Sequence, residues 1–334
     1  MKAKELRLCV YSIGHFWVDF SCALLMFSQL SGRREWALCV LFYNFCAFAL
    51  QMPIGLVADR LNRNGGAAAL GCGLAALGWM LTPLPAAAAA AAGVGNACFH
   101  VGGGIQVLND GGDRAAPLGI FVSPGAFGIF SGTLLGGSLP FPNWLAAAGL
   151  ALFALGFGLL ESCTQKSAPT ALSLERNILW ALACCFLVVV LRSYLGMVMA
   201  FPWKTGRWAL GMICAVVFGK AAGGFLGDRL GMGRAAVLSL GLSAVLFCFS
   251  AAPLAGTAAV FLFNMTMPIT LWAAARLLPG GKGFAFGTLT FALFLGFLPV
   301  WLGWPALFHS GVGYAAGAVC SLLLLALGLK RGRL

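Results

Sequence analysis

Long apolar stretches separated by short polar connections run along the whole chain. A helix that spans a membrane needs about 20 predominantly apolar residues, and each stretch is close to that length. The sequence therefore predicts twelve spanning helices, over residues 8–30, 37–58, 65–82, 84–108, 117–138, 143–160, 177–201, 207–228, 234–251, 253–276, 283–303 and 310–329. We number these predicted helices 1 to 12.

Composition makes a soluble protein untenable, because 61% of the 334 residues are hydrophobic and only 9% are charged, against about 25% charged in soluble chains. Of the 21 basic residues, fifteen fall in connections on the side that holds both termini and four on the opposite side. This asymmetry predicts cytoplasmic termini in a multi-pass protein of the cell membrane. It also accounts for the net charge of +12 without a nucleic-acid partner.

The cysteines suggest no special chemistry, since the 12 Cys are scattered through apolar segments without a CxxC pair. We interpret them as small core residues. No cofactor and no resident metal are expected, and we expect a monomer in the lipid bilayer.

The chain consists of two similar halves. A polar connection over residues 162–176 separates six helices in 1–161 from six in 177–334. At an offset of 168 to 169 residues, Gly55-Leu-Val-Ala-Asp59-Arg60 matches Gly224-Phe-Leu-Gly-Asp228-Arg229, Asn96 matches Asn264, and Gly119 matches Gly287. Two parallel six-helix repeats are a known way to build a transporter.

The repeated segment is a short motif between helices 2 and 3 and again between helices 8 and 9. It resembles the signature loop of the major facilitator superfamily, although Asn62 replaces the glycine usual in the first copy. The resemblance implies an all-α integral membrane protein with twelve transmembrane helices in two six-helix repeats, the major facilitator fold. It also implies a gating cluster made of Gly55, Asp59, Arg60, Arg63, Asp110, Gly224, Asp228, Arg229 and Arg234.

A finer resemblance concerns helices 1 and 4. His15-Phe-Trp-Val-Asp19 and Phe99-His100 are similar to patterns of the fosmidomycin-resistance branch, although Val101 replaces the usual proline and the chain is shorter. That likeness implies proton-driven efflux of a small drug-like or anionic compound. Glycines spaced by four residues in helix 5, from Gly128 to Gly136, resemble the pattern of drug/proton antiporters, or serve close helix packing.

Ionisable residues inside spans are costly and so are functional candidates. Five qualify here: His15, Asp19, His100, Arg192 and Lys220. His15 and Asp19 are one helical turn apart, which predicts that this pair, tuned by Arg192, carries the coupling proton. The alternative is a permanently paired, structural Asp19.

Three possible cations, His100, Arg192 and Lys220, together with the single acid Asp19, predict a cavity that prefers an anionic or zwitterionic solute. The candidate substrate contacts are His100, Arg192, Asn96, Asn264, Asn44, Gln51 and Lys220. Each Asn or Gln is equally compatible with a hydrogen bond between helices. Lys220 also has the alternatives of snorkelling to the interface or pairing with Asp110.

The predicted function is therefore secondary active transport by alternating access, most simply proton-coupled efflux. Two transport alternatives remain open: a proton-coupled uptake symporter, and a divalent-metal carrier that uses His15, Asp19 and His100. A membrane enzyme or scaffold is disfavoured, because no nucleophile, base and orienting group recur together, and no soluble domain is seen.

Overall fold

The structure, a computed structural model, describes residues 3–138, 141–161 and 175–334. The described chain is helical, and no strand occurs in these ranges. Twelve helical segments follow in order: α1 (Ala3–Leu30), α2 (Trp36–Leu61), α3 (Asn64–Met80), α4 (Pro85–Gly111), α5 (Ala116–Ser138), α6 (Asn143–Glu161), α7 (Arg176–Val198), α8 (Arg207–Leu230), α9 (Met232–Cys248), α10 (Pro253–Leu277), α11 (Lys282–Trp301) and α12 (Gly311–Gly332).

Each predicted helix thus corresponds to an observed one, and most boundaries agree within a few residues. Within the described residues, nine helices are by length and composition long and apolar enough to cross a membrane, namely α1, α2, α5 to α8 and α10 to α12. Large apolar side chains are exposed on the outer surfaces of the helices, including Met80, Leu159 and Leu254. This pattern is expected where lipid rather than water contacts the protein.

The interruptions within α2, α5 and α10 lie close to prolines. In α2 a π-helical turn over Phe45–Ala49 ends four residues before Pro53, and α10 is interrupted after Asn264, four residues before Pro268. Proline lacks an N–H group and its ring clashes with the carbonyl four residues earlier, so the helix is interrupted at that point. In α5 the interruption falls at Ser123, immediately before Pro124.

Packing divides the chain into two compact units. Unit 1 comprises Met1–Asp110, Pro124–Thr170 and Gly280–Phe291, and unit 2 comprises Gly111–Ser123, Ala171–Pro279 and Ala292–Leu334. The units differ from the predicted halves 1–161 and 177–334, because the start of α5 belongs to unit 2 and the start of α11 to unit 1. The predicted linker 162–176 lies outside the described residues, apart from its last two.

Each unit has an aromatic cluster in its core. In unit 1 the Tyr11 ring stacks on Phe157 with centroids 4.7 Å apart, and Phe99 lies against the same ring at 5.6 Å. In unit 2 Phe247 contacts Tyr314 at 5.8 Å. Such pairs stabilise a core beyond the area that they bury, and they hold α1, α4 and α6 together around the polar residues of unit 1.

Candidate transport site and motif loops

A cluster of four polar side chains lies in the interior of unit 1. His15 and Asp19 are on α1, one turn apart, while Asn96 and His100 are on α4, also one turn apart. All four side chains are buried, with Asp19 only 6% exposed. At 1.5 Å per residue, Asp19 lies roughly 17 Å from the start of predicted helix 1, which is near the middle of a hydrocarbon core about 30 Å thick.

The Asp19 carboxylate is the centre of this cluster. Its Oδ1 accepts a hydrogen bond from Asn96 Nδ2 at 2.8 Å and lies 3.7 Å from His100 Nε2. Its Oδ2 lies 3.2 Å from His15 Nε2. A buried carboxylate requires such partners, because its loss of hydration is otherwise uncompensated.

The two imidazoles also contact each other, with 2.8 Å between His15 Nε2 and His100 Nε2. His100 Nδ1 lies 2.8 Å from the Asn96 carbonyl oxygen, which only accepts, so this nitrogen carries the proton of a neutral His100 ring. His100 Nε2 is then an acceptor, and His15 Nε2–H is the donor. One further proton on His100 places two N–H groups face to face, which breaks the contact between the rings.

Glycines of α5 make room for this arrangement. A Cβ atom at Gly125 would overlap both the His15 ring and the Asp19 carboxylate, and one at Gly128 would overlap the α1 backbone at Phe16. Close packing against α1 is therefore a sufficient reason for the glycine pattern that resembles drug/proton antiporters.

The cluster has the composition of a proton site and also of a metal site. One ligand atom from each of His15, Asp19 and His100 lies within 4.8 Å of the others. Two imidazoles and a carboxylate exchange protons readily. The same three groups are ligands that borderline divalent cations such as Zn²⁺ and Fe²⁺ accept.

Arg192 is the buried cation of unit 2. It lies on α7 with 8% of its surface exposed, and its Nη1 is 3.4 Å from the Thr270 hydroxyl of α10. Among the described residues of unit 2 the acids are Asp113, Glu175 and Asp228, and each lies at a helix end or in a connection. No acid of unit 2 therefore shares the depth of Arg192 in the membrane.

The remaining predicted substrate contacts bind to backbone carbonyl oxygens. Asn44, Gln51 and Asn264 each donate to the carbonyl four residues earlier on their own helix. Lys220 Nζ lies 3.5 Å from the Val122 carbonyl oxygen, within unit 2. The repeat partners Asn96 and Asn264 thus differ, since only Asn96 is bonded to a carboxylate.

The repeated motif makes the same contact twice. Asp59 accepts hydrogen bonds from the backbone N–H groups of Gly283 and Phe284 at 2.8 and 2.9 Å. Asp228 accepts from Ala115 and Ala116 at 2.7 and 3.0 Å. Each carboxylate thereby caps a helix N-terminus, that of α11 in unit 1 and that of α5 in unit 2.

Glycines permit these caps. A Cβ atom at Gly55 would overlap the Gly283 backbone, and one at Gly224 would overlap Ala115. Asn62, which departs from the motif, adopts a left-handed conformation with φ of 51°. Asparagine tolerates this conformation better than most residues, so it serves where the second copy has Gly231. The motif arginines, which are Arg60, Arg63, Arg229 and Arg234, are exposed.

Several polar contacts were not anticipated from the sequence. Arg7 donates to both carboxylate oxygens of Asp110 at 2.9 and 2.8 Å, so this predicted gating acid is tied to α1. In unit 2, Asp113 pairs with Arg276, and its carbonyl accepts from Trp272 Nε1 at 2.7 Å. The repeat carries no signal for this pair, because the positions one offset of 169 from Asp113 and Arg276 are Lys282 and Val107.

Comparison of the sequence with protein-family models and with curated proteins finds no match. Among solved structures, the chain is similar over 99% of its length, and of the other chain, to the E. coli fucose:proton symporter FucP, with TM-score 0.69 and 14% identity. It is similar over 100% of its length and 99% of the other chain to the human organic anion transporter TETRAN, with TM-score 0.65 and 15% identity.

A third similar structure is a bacterial homologue of the iron transporter ferroportin, in an outward-facing state with soaked iron. It has TM-score 0.64 and 16% identity over 100% of this chain and 99% of the other. At such identities the likeness establishes the fold, which is that of a Major Facilitator Superfamily transporter. All three proteins are transporters by name.

Proposed function

We propose that this chain is a secondary active transporter of the major facilitator superfamily, which works by alternating access and couples proton movement to the export of a small anionic or zwitterionic solute. The observation that carries the proposal is the buried cluster of Asp19, His15, His100 and Asn96 in unit 1. The similarity of the fold to a fucose:proton symporter supports the coupling to protons, and the similarity to an organic anion transporter supports the anionic solute.

Asp19 and His15 are the proposed proton carriers. In its deprotonated form Asp19 has three partners, two rings and one amide. Proton uptake by His100 rearranges the cluster, because the contact between the two rings holds only one proton. A change of protonation is thereby converted into a change of contacts between α1 and α4, which is what coupling requires.

Arg192 is the proposed anchor of the solute. A cation buried in a span needs an anion or strong acceptors to offset its lost hydration, and unit 2 offers the Thr270 hydroxyl at 3.4 Å. An incoming carboxylate or phosphonate supplies the missing charge and fits a guanidinium in a bidentate manner. His100, Asn96, Asn264, Asn44, Gln51 and Lys220 stay secondary candidates for solute contacts.

The first experiment separates proton coupling from solute binding. Purified protein is reconstituted in liposomes, and radiolabelled fosmidomycin, an anionic phosphonate, is followed both under a pH gradient and in counterflow. Asp19→Asn is expected to lose gradient-driven flux and keep counterflow, whereas Arg192→Gln is expected to lose both. Glu35→Gln, which removes an exposed acid, serves as the matched control and should change neither.

Undiminished gradient-driven flux in Asp19→Asn contradicts the proton assignment, and undiminished counterflow in Arg192→Gln contradicts the anchor. If fosmidomycin is not moved, the resemblance to the fosmidomycin-resistance branch is wrong. A thermal-shift screen across anionic antibiotics, phosphonates, organic acids, amino acids and divalent metals then supplies the substrate for the same assay.

Direction is tested with the same liposomes. Sorting the proteoliposomes by orientation, or using inside-out membrane vesicles, separates an exporter from an uptake symporter. Export is proposed because of the sequence resemblance in helices 1 and 4, whereas similarity to FucP supports the alternative of uptake. A monomer in the cell membrane with cytoplasmic termini completes the proposal.

A divalent-metal carrier is the second candidate, because the three ligand atoms of His15, Asp19 and His100 converge within 4.8 Å. The ferroportin homologue with soaked iron has a similar fold. Calorimetric titration of the purified protein with Mn²⁺, Fe²⁺ and Zn²⁺ tests this candidate. Binding that is abolished by His15→Ala, with transport blocked by a chelator, would favour metal over the anionic solute.

A further inference from the structure

A basic cavity lies in unit 2 where α7 begins and α12 ends. Its volume is about 340 Å³, and it is lined by Asn177, Leu327, Lys330, Arg331 and Arg333. Three of these five residues are cations, and none is an acid. Its polar lining therefore matches a compact anion with several acceptor oxygens, such as a phosphate ester.

At the corresponding end of unit 1, charged side chains have hydrogen-bond or ion-pair partners within the protein. At the end of α6, Glu161 accepts a hydrogen bond from the Gly66 backbone at 3.0 Å, and near the start of α1, Arg7 is paired with Asp110. At the repeat offset of 169 residues, Lys330 stands in place of Glu161 and Pro279 in place of Asp110. The second repeat thus has no acid at either of these two positions and has a cation at one of them.

The described acids of unit 2 do not line this cavity. Asp228 caps the start of α5, and Asp113 pairs with Arg276. Glu175 lies just before α7 but does not line the cavity. Among the described residues, no acid lines the cavity beside Lys330, Arg331 and Arg333, so their charge favours an external anion.

Exposed apolar side chains lie on α7 and α12 close to the residues that line the cavity. Leu327, one of its lining residues, is 46% exposed, and Leu323 on the preceding turn of α12 is 65% exposed. On α7, Trp180 is 56% exposed, one turn from Asn177. Predicted helix 12 ends at 329 and predicted helix 7 begins at 177, so the cavity lies at the membrane interface, where tryptophan is favoured.

We propose that this cavity binds the headgroup of an anionic phospholipid, with the acyl chains lying along the exposed apolar surface of α7 and α12. Basic residues next to a membrane attract anionic lipids by about 1 kcal/mol each. The apolar surface favours a lipid over a free phosphate ion, because free phosphate gains nothing from it. The bound lipid bridges the first and last helices of the second repeat.

The test uses the full-length protein in detergent, with phosphatidylglycerol, phosphatidylcholine of the same acyl chains, and inorganic phosphate as probes. Native mass spectrometry counts retained lipids, and thermal unfolding reports stabilisation. Phosphatidylglycerol is expected to be retained and to raise the melting temperature, and the other two probes are not. Equal effects of phosphatidylcholine, or of inorganic phosphate, would overturn the proposal.

Matched variants locate the site. Lys330→Gln with Arg331→Gln is compared with Arg33→Gln with Arg34→Gln, a pair of exposed arginines elsewhere in the chain. Only the first pair is expected to lower phosphatidylglycerol affinity, by about 30-fold if each cation contributes about 1 kcal/mol. Equal losses in the two double variants would show that the binding is unspecific and would overturn the assignment.

A second variant avoids removing charges that help set topology. Asn177→Asp places a carboxylate among the three cations, and an acid is favoured in the first turn of a helix, so folding is preserved. Loss of one retained phosphatidylglycerol molecule in this variant supports the site. Unchanged retention contradicts it, whether or not the double variant folds.

Discussion

His15 and His100 face each other through their Nε2 atoms at 2.8 Å, and that contact exists only while one ring donates and the other accepts. The Asn96 carbonyl fixes the proton of His100 on Nδ1, so the direction of the hydrogen bond is determined. A second proton on His100 therefore removes this contact between α1 and α4. This relationship, more than the presence of Asp19 alone, makes the cluster suitable for coupling.

A first prediction concerns His100. His100→Gln removes a titratable group while keeping polar atoms, so gradient-driven flux is expected to fall by more than tenfold, and the pH profile of transport should lose one ionisation. The measurement is flux against internal pH in proteoliposomes. His309→Gln, which changes an exposed histidine, is the control, and an identical pH profile in both variants would contradict the assignment.

The second prediction compares the repeat partners Asn96 and Asn264. Asn96→Ala deletes the 2.8 Å hydrogen bond to Asp19, and a hydrogen bond to a charged group contributes about 1.5–3 kcal/mol. Asn264→Ala deletes only a bond to its own helix, so the expected loss is about 1 kcal/mol or less. Thermal unfolding of the purified variants measures the difference, and equal losses would refute the special role of Asn96.

A third prediction uses two glycines of α5. A methyl group at Gly125 would overlap His15 and Asp19, whereas one at Gly137 meets nothing within 4 Å. Gly125→Ala is therefore expected to lower both the melting temperature and gradient-driven flux. Gly137→Ala should be neutral or slightly stabilising, because alanine favours the helix by about 1 kcal/mol. Wild-type behaviour of Gly125→Ala would show that the cluster is looser than described.

The fourth prediction concerns the two motif carboxylates. Asp228→Ala removes the acceptor for the Ala115 and Ala116 N–H groups, and loss of such a cap costs about 1 kcal/mol. Hydrogen–deuterium exchange is expected to speed up at the start of α5 and stay unchanged at the start of α11.

Asp59→Ala should give the reverse pattern, with faster exchange at Gly283 and Phe284. Each variant is thus the control for the other. Exchange that changes at both helix starts in either variant would mean that the two caps are not independent.

The helices and the repeat were accessible from the sequence, because spanning segments must satisfy their backbone hydrogen bonds internally and present apolar side chains to lipid. The interruptions of α2 and α10 were equally accessible in principle, since Pro53 and Pro268 are visible in the chain. The ionisable residues His15, Asp19 and His100 stood out because charge is rare in a span.

Most contacts between residues that are far apart in the sequence could not be predicted from it. The sequence predicted the pair of His15 and Asp19, and the structure adds His100 and Asn96 to it within unit 1. That Arg192 tunes this pair stays a prediction. The sequence indicated no partner for Asp113 or Arg276, yet they pair with each other. Such partners depend on helix rotation and close approach, which hydrophobic pattern does not encode.

Composition and periodicity by themselves determined the fold class, an all-helical protein of many apolar spans, because the bilayer imposes length and polarity on every span. Only the tertiary structure decided which polar groups meet. Glycines such as Gly125 and Gly55 let helices approach closely, and that approach selects the partners. It joined two histidines and one acid into a buried polar cluster and left a basic cavity at the end of the second repeat.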